Sequence, residues 1–247
     1  MAPIVTQVAD GTYLVNGSAS NWTMLTDGGA LTLIDVGYPG DFDDVVTSIR
    51  AIGFAPEQIA AVLVTHAHID HVGSLPQLLA QWNLPVYTSG QEVQHAHRDY
   101  LEQVTRSEVA LRCWRPKVAT WALHVAKVGG TEDIRVPQAA PFPSRGALDL
   151  PGRPVPVMTP GHTSGHTCFY LPDVGAMVTG DALVTGHPIS RIKGPQVLES
   201  MFQNDPKDNL SSVELLAGYD ANLVLAGHGP LWHGPIAKAV SMATGKR

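Results

Sequence analysis

Four short apolar runs, far apart in the chain, each stop at a histidine or an aspartate. They are Leu63-Val64-Thr65-His66, Val157-Met158-Thr159-Pro160-Gly161-His162, Met177-Val178-Thr179-Gly180-Asp181 and Val224-Leu225-Ala226-Gly227-His228. Brief apolar runs bounded by turn residues read as buried strands. A sheet puts its chemistry where strands end, because a rigid scaffold presents loop side chains there. The four stops therefore constrain the fold: the strands must lie so that their ends meet.

The rest of the pattern gives an α/β chain. Residues 12–16, 22–26 and 31–35 read as strands, with Asp27-Gly28-Gly29 as a turn between the last two. Residues 41–52 read as a helix with Asp41 as N-cap and Val45, Val46 and Ile49 on one face. A strand at 59–64, a helix at 74–82, a strand at 85–88 and a helix at 91–97 follow. Residues 100–128 are mostly helix-compatible, and Trp114 and Trp121, seven apart, fall on one helical stripe, facing either a core or the substrate. Residues 131–150 are proline-rich and read as irregular. Strands resume at 155–159, 167–171 and 176–179, followed by a helix at 206–217 and a strand at 223–226. No composition shift divides the chain, so residues 1–247 are expected to form one domain, with 98–150 as an insertion over the active site.

Charge and composition exclude several classes. The 247 residues carry 22 acidic against 16 basic side chains, a formal charge of -6, which argues against nucleic acid as the main partner. Apolar residues make up 44%, a globular and not a disordered composition. The start of the chain lacks the features of a signal peptide, and no apolar run is long enough to span a bilayer, so a cytoplasmic protein with no membrane partner is expected. Cys113 and Cys168 suggest no disulfide framework and read as small packed side chains. A homo-oligomer is left open.

The densest cluster is His66-Ala67-His68-Ile69-Asp70-His71, set directly after the strand at 59–64. Neutral imidazoles and carboxylates are the donors a dinuclear metal centre needs, six or seven of them from several segments. The chain offers seven: His66, His68, Asp70, His71, His162, Asp181 and His228. His66 and His68, two apart on extended backbone, can point the same way and share one metal with His162. Asp70 and His71 lie past the bend and can turn toward a second metal with His228. Asp181, with two oxygens, can bridge. Zinc is the expected metal, though manganese or iron suit the same donors.

These motifs resemble the signature series of the metallo-β-lactamase-fold hydrolases, in order and over nearly the whole chain. They are His66-Ala67-His68-Ile69-Asp70-His71, Gly161-His162-Thr163-Ser164-Gly165-His166, Gly180-Asp181 and Gly227-His228-Gly229. Ile34-Asp35-Val36-Gly37 is similar to the family's early Asp-x-Gly element, whose Asp supports the metal site from behind. The resemblance implies a four-layer αβ/βα sandwich of two mixed sheets flanked by helices, with the metals at one edge. It also implies a hydroxide, bridging the metals, that attacks an ester, lactone or thioester carbonyl of a small molecule. Asp70 and Asp181 would be the catalytic carboxylates, and His166 a structural support.

Asp181 is similar to the glyoxalase II, lactonase and phosphodiesterase-type branches, because the antibiotic-hydrolysing members often carry Cys there. Two departures narrow the substrate. Only Lys238, Lys246 and Arg247 follow His228 as cations, which speaks against a glutathione thioester, and Val184 stands where the acyl-homoserine-lactone hydrolases place a tyrosine. His187 could face substrate. The alternatives are phosphodiesterase or β-lactamase activity on the same centre, a mononuclear-iron sulfur dioxygenase, and a non-catalytic metal-binding module.

Overall fold

The central strands of this protein pack both of their faces, and that decides the layering. The structure is a computed structural model that describes residues 3–245. Its first sheet has seven strands in sequence order: β1 (Ile4–Ala9), β2 (Thr12–Asn16), β3 (Asn21–Asp27), β4 (Ala30–Ile34), β5 (Ile59–Leu63), β6 (Val86–Thr88) and β7 (Ala139–Pro141). β1 to β4 form an antiparallel meander, and β4 to β7 run parallel. The second sheet has the order β12-β11-β10-β9-β8, from β8 (Val155–Met158), β9 (Thr167–Leu171), β10 (Ala176–Gly180), β11 (Leu223–Ala226) and β12 (Trp232–His233).

Successive residues of a strand point to opposite faces. Leu14, Leu25, Ile34 and Leu63 thus meet Phe169, Val178 and Leu225 of the other sheet in a central core. Their chain neighbours Val15, Met24, Leu33 and Val62 turn outward, onto helices α1 (Phe42–Ala51) and α3 (Leu75–Gln81), through Val45, Ile49, Leu75 and Leu78. In the second sheet Cys168, Met177 and Val224 face out, onto α7 (Pro206–Leu215) and α8 (Ile236–Thr244). The result is helix, sheet, sheet, helix: the sandwich expected from the sequence. Strands buried on both faces also explain why their sequences read as continuous apolar runs without alternation.

Several details depart from the sequence reading. Asp41 precedes α1 but does not cap it with its side chain; its carboxylate accepts the Tyr38 N–H (2.9 Å) and the Ser18 hydroxyl (2.8 Å). Residues 131–150 are not wholly irregular, since β7 joins the first sheet and Ile134, Val136 and Ala139 enter its core. The helix-compatible stretch divides into α5 (Arg106–Ala110) and α6 (Pro116–Lys127). Trp114 lies in the turn between them, 81% exposed, so it shares no stripe with Trp121. Two further helices, α2 (Ile69–Val72) and α4 (Gly90–His97), follow β5 and β6. Among the described residues, no helix is long and apolar enough to cross a membrane.

Candidate metal centre

All seven predicted donors meet at one edge of the sandwich. His66 and His68 leave β5 on extended backbone, and α2 then carries Asp70 and His71. His162 sits in the turn from β8 to β9. Asp181 and His228 follow the parallel pair β10 and β11, so their strands end together. The donors form two groups, His66–His68–His162 and Asp70–His71–Asp181–His228, and within each group the ligand atoms lie within 4.8 Å of one another.

In the first group three ring nitrogens converge, with His162 Nε2 3.2 Å from His66 Nε2 and 3.1 Å from His68 Nδ1. The partners behind the rings fix which nitrogen carries the proton. The Thr65 hydroxyl donates to Asp35 (2.7 Å), so it accepts from His66 Nδ1 (3.0 Å). His68 Nε2 donates to the Glu102 carbonyl, and His162 Nδ1 donates to Gln203 Oε1 (3.3 Å). Each ring therefore turns a lone pair inward. Burial, joined by the neighbouring imidazoles, depresses all three below the ordinary histidine value, His68 to about 4. Three inward lone pairs repel unless a cation lies among them, which is the arrangement a metal site requires.

The second group is negative. His228 Nε2 lies 3.2 Å from both Asp70 Oδ2 and Asp181 Oδ2, while His71 Nε2 lies 3.5 Å from Asp181 Oδ1 and 3.8 Å from Asp70 Oδ2. Behind them, His71 Nδ1 donates to Asp35 (2.7 Å) and His228 Nδ1 to the Ala19 carbonyl (2.8 Å). Burial would depress both imidazoles, but the carboxylates override it, holding His71 well above its ordinary value and lifting His228 to about 10. The group thus draws in positive charge. His71 Nε2 and Asp181 Oδ1 are buried with no hydrogen-bond partner among the described residues, two orphaned atoms facing one point. Both groups fit metal ions, and Asp181 Oδ2 also lies 3.6 Å from His162 Nε2 of the first group.

The support behind the donors was partly legible. Asp35 is held at a positive φ of 63° and accepts from the Thr65 N–H (2.8 Å), the Thr65 hydroxyl and His71, which ties the end of β4 to the ligand loop. His166 takes no place among the seven; its Nε2 accepts the Asp181 N–H (3.1 Å) and its Nδ1 donates to Thr159 (2.8 Å). Glu92 has no motif to announce it. It is fully buried and accepts from the Ala67 N–H (2.7 Å), His95 Nδ1 (2.6 Å) and the Thr163 hydroxyl (2.7 Å). Gln203 and Tyr38 were equally silent; Tyr38 is buried beside Asp70.

Gly227 is required by contact. A Cβ there would lie 2.3 Å from Asp181 Oδ1 and 2.7 Å from the His71 ring. Gly227→Ala is therefore expected to push the Asp181 carboxylate aside and weaken metal binding at the second group by more than about tenfold. Isothermal titration of metal-stripped protein with zinc measures this; unchanged affinity at both groups would show that the carboxylate does not need that space.

Beside the donors opens a cavity of about 650 Å³. His68, Asp70, His162, Asp181 and His228 form one end, and α5, α6 and the segments leading into and out of them form much of its wall. His187 reaches it as well, its ring 5.1 Å from His228 and close to Trp121 and Phe202. Cys113 lines it, while Cys168 is packed in the core, its thiol pushed up to about 12 by burial.

A layered αβ/βα sandwich with a His/Asp cluster at its strand ends is the architecture of metal-dependent hydrolases. Residues 15–228 match the metallo-β-lactamase superfamily, and the chain belongs to that family. Over 212 residues it is 25% identical to the probable metallo-hydrolase YflN of Bacillus subtilis, covering 81% of this chain and 75% of that protein. A hydroxyacylglutathione hydrolase of Dechloromonas aromatica is 29% identical over 161 residues, 65% of this chain but 42% of that enzyme, so the chain spans less than half of its length. Among solved structures, the Rm3 metallo-β-lactamase superposes with a TM-score of 0.68 at 18% identity, covering 98% of this chain and 91% of that one. A metallo-β-lactamase family protein of Thermus thermophilus superposes with a TM-score of 0.67 at 23% identity, covering 96% of this chain and 79% of that one. Likeness at this identity speaks for the fold.

Proposed function

We propose that this metallo-hydrolase is a dinuclear enzyme, with zinc as its metal, that hydrolyses the acyl C–O or C–S bond of a small ester, lactone or thioester. The observation that carries this reading is the Asp181 carboxylate. It lies 3.2 Å from His228, 3.5 Å from His71 and 3.6 Å from His162, and so faces both donor groups at once. In this reading His66, His68 and His162 hold one ion, Asp70, His71 and His228 the other, and Asp181 both. Two ions in such a site supply a nucleophile from water at neutral pH and polarise a carbonyl oxygen.

The chain's own residues do the rest. Asp35, Thr65, Glu102, Gln203 and Ala19 bond one nitrogen of each of the five imidazoles from behind and so orient the other toward the donor groups. Asp70 is the most exposed of the four second-group ligands, its side chain 14% accessible, and it stands at the cavity, where its carboxylate can accept a hydrogen bond from an incoming water and orient it. Residues 98–150 contribute a roof, through the part from Leu101 to Asp133 that lines the cavity.

The test is metal content per chain on protein purified without added metal, paired with lactone, thioester, ester, phosphodiester and β-lactam substrates. Two equivalents of zinc and ester, lactone or thioester hydrolysis that a chelator abolishes and zinc restores are expected. One equivalent of iron without hydrolysis would overturn the reading.

A further inference from the structure

The cavity wall facing the metal centre is apolar in a way the fold does not require. On α6, Trp121, Ala122 and Val125 recur at helical spacing and line the cavity, and Val109 and Ala110 of α5 line it too. Trp121, Val109 and Val104 belong to none of the hydrophobic cores that hold the sheets and helices together. They are side chains of residues 98–150 turned toward a space.

The charged side chains of residues 98–150 that reach the cavity are all exposed. Arg106, Glu132 and Asp133 line the cavity only as exposed residues; Arg106 is engaged with the Thr131 carbonyl, and Asp133 pairs with Arg98 and Arg135. The charged residues of this wall are thus exposed ones, while its half-buried Val104, Val109, Trp121, Ala122 and Val125 are apolar.

We propose that the group cleaved at this centre carries an uncharged hydrocarbon acyl chain, seated between α5 and α6 with its carbonyl at the donor groups. The proposal rests on the hydrolase reading and deepens it. A volume of about 650 Å³ falls within the range of small-molecule sites and exceeds what an acetyl or lactoyl group fills. Burying each methylene against such a wall is worth about 0.8 kcal/mol, which is about fourfold in specificity per carbon.

The experiment is a series of straight-chain acyl thioesters from acetyl to dodecanoyl, with a common leaving group, on the metal-loaded enzyme. The value of kcat/KM is expected to rise about fourfold per methylene over the first several carbons and then level as the cavity fills. Val109→Asp places a carboxylate in the wall and is expected to flatten that rise. Ala122→Phe takes up cavity space and is expected to move the plateau to shorter chains, a shift that general destabilisation would not produce.

Decanamide, a neutral amide offered as a non-reacting probe, gives a readout independent of turnover. It is expected to change the tryptophan fluorescence of the protein saturably, more tightly than butanamide, and the change should vanish in Trp121→Phe. Hydrolysis that is flat across the series, with no decanamide binding, would overturn the acyl-chain proposal and leave the hydrolase standing. Decanamide binding with no cleavage of any carbonyl substrate would overturn the hydrolase reading and the acyl-substrate assignment with it.

Discussion

Asp181→Ala is expected to lose more than about a hundredfold in kcat while keeping its fold. Partners that merely orient a metal ligand cost 10–100-fold when removed. A carboxylate that faces both donor groups should cost more, because on the proposed dinuclear reading its loss would remove a ligand from each ion. The fold should survive because the backbone at this position is held independently of the side chain. His166 accepts the Asp181 N–H, and Gly180 before it closes β10. Only a site-facing side chain is deleted, and the core contacts of β10 come from Met177 and Val178. Circular dichroism and a cooperative denaturant transition should match the parent protein, while metal analysis should fall below two equivalents. Turnover within a few-fold of the parent would show that Asp181 does not link the two groups.

The donors were legible in the sequence and much of their support was not, for a physical reason. His66, His68, Asp70 and His71 cluster because one strand end delivers them, and His162, Asp181 and His228 each follow a short apolar run that reads as a strand. Local spacing carries that signal. Glu92, Gln203 and Ala19 act on residues far away in the chain, and neither their types nor their neighbours distinguish them from ordinary helix or loop positions. Ala19 contributes only a backbone carbonyl, which any residue has. The same limit explains β7: Ala139-Ala140-Pro141 lacks β-branched residues and becomes a strand through its pairing with β6, a tertiary choice overriding local propensity. The split of residues 100–128 also had local signs that its helical periodicity hid, since Pro116 opens α6 and Thr105 with Glu108 forms a capping box that opens α5.

Glu92→Ala should cost about 3–5 kcal/mol of unfolding free energy, the largest loss we expect from any single change outside the metal ligands. The carboxylate is fully buried, and three donors converge on it: the Ala67 N–H inside the ligand loop, His95 and the Thr163 hydroxyl beside His162. It therefore pins the two segments that carry the first donor group. The chain of contacts runs further, because His95 Nε2 accepts the Glu102 N–H (3.2 Å) and the Glu102 carbonyl holds His68. Truncation leaves three buried donors unpaired and frees His68 to turn, so metal affinity at the first group should fall together with stability. Glu92→Gln keeps the volume, but its amide NH2 meets a donor in place of an acceptor, and an intermediate loss of about 1–3 kcal/mol follows.

The pH dependence separates this from simple loss of packing. Burial alone would raise the Glu92 pKa, but the hydrogen bonds outweigh it and hold the value below the ordinary 4.5. A carboxyl whose folded pKa is depressed contributes stability that is complete above its unfolded pKa and lost as pH falls through the folded one. The gap between the parent and Glu92→Gln, measured by denaturant unfolding of the metal-free proteins, should therefore be full at pH 7 and shrink below about pH 4.5. A gap that stays constant down to pH 3 would mean that the charge of Glu92 contributes nothing and that only its shape matters.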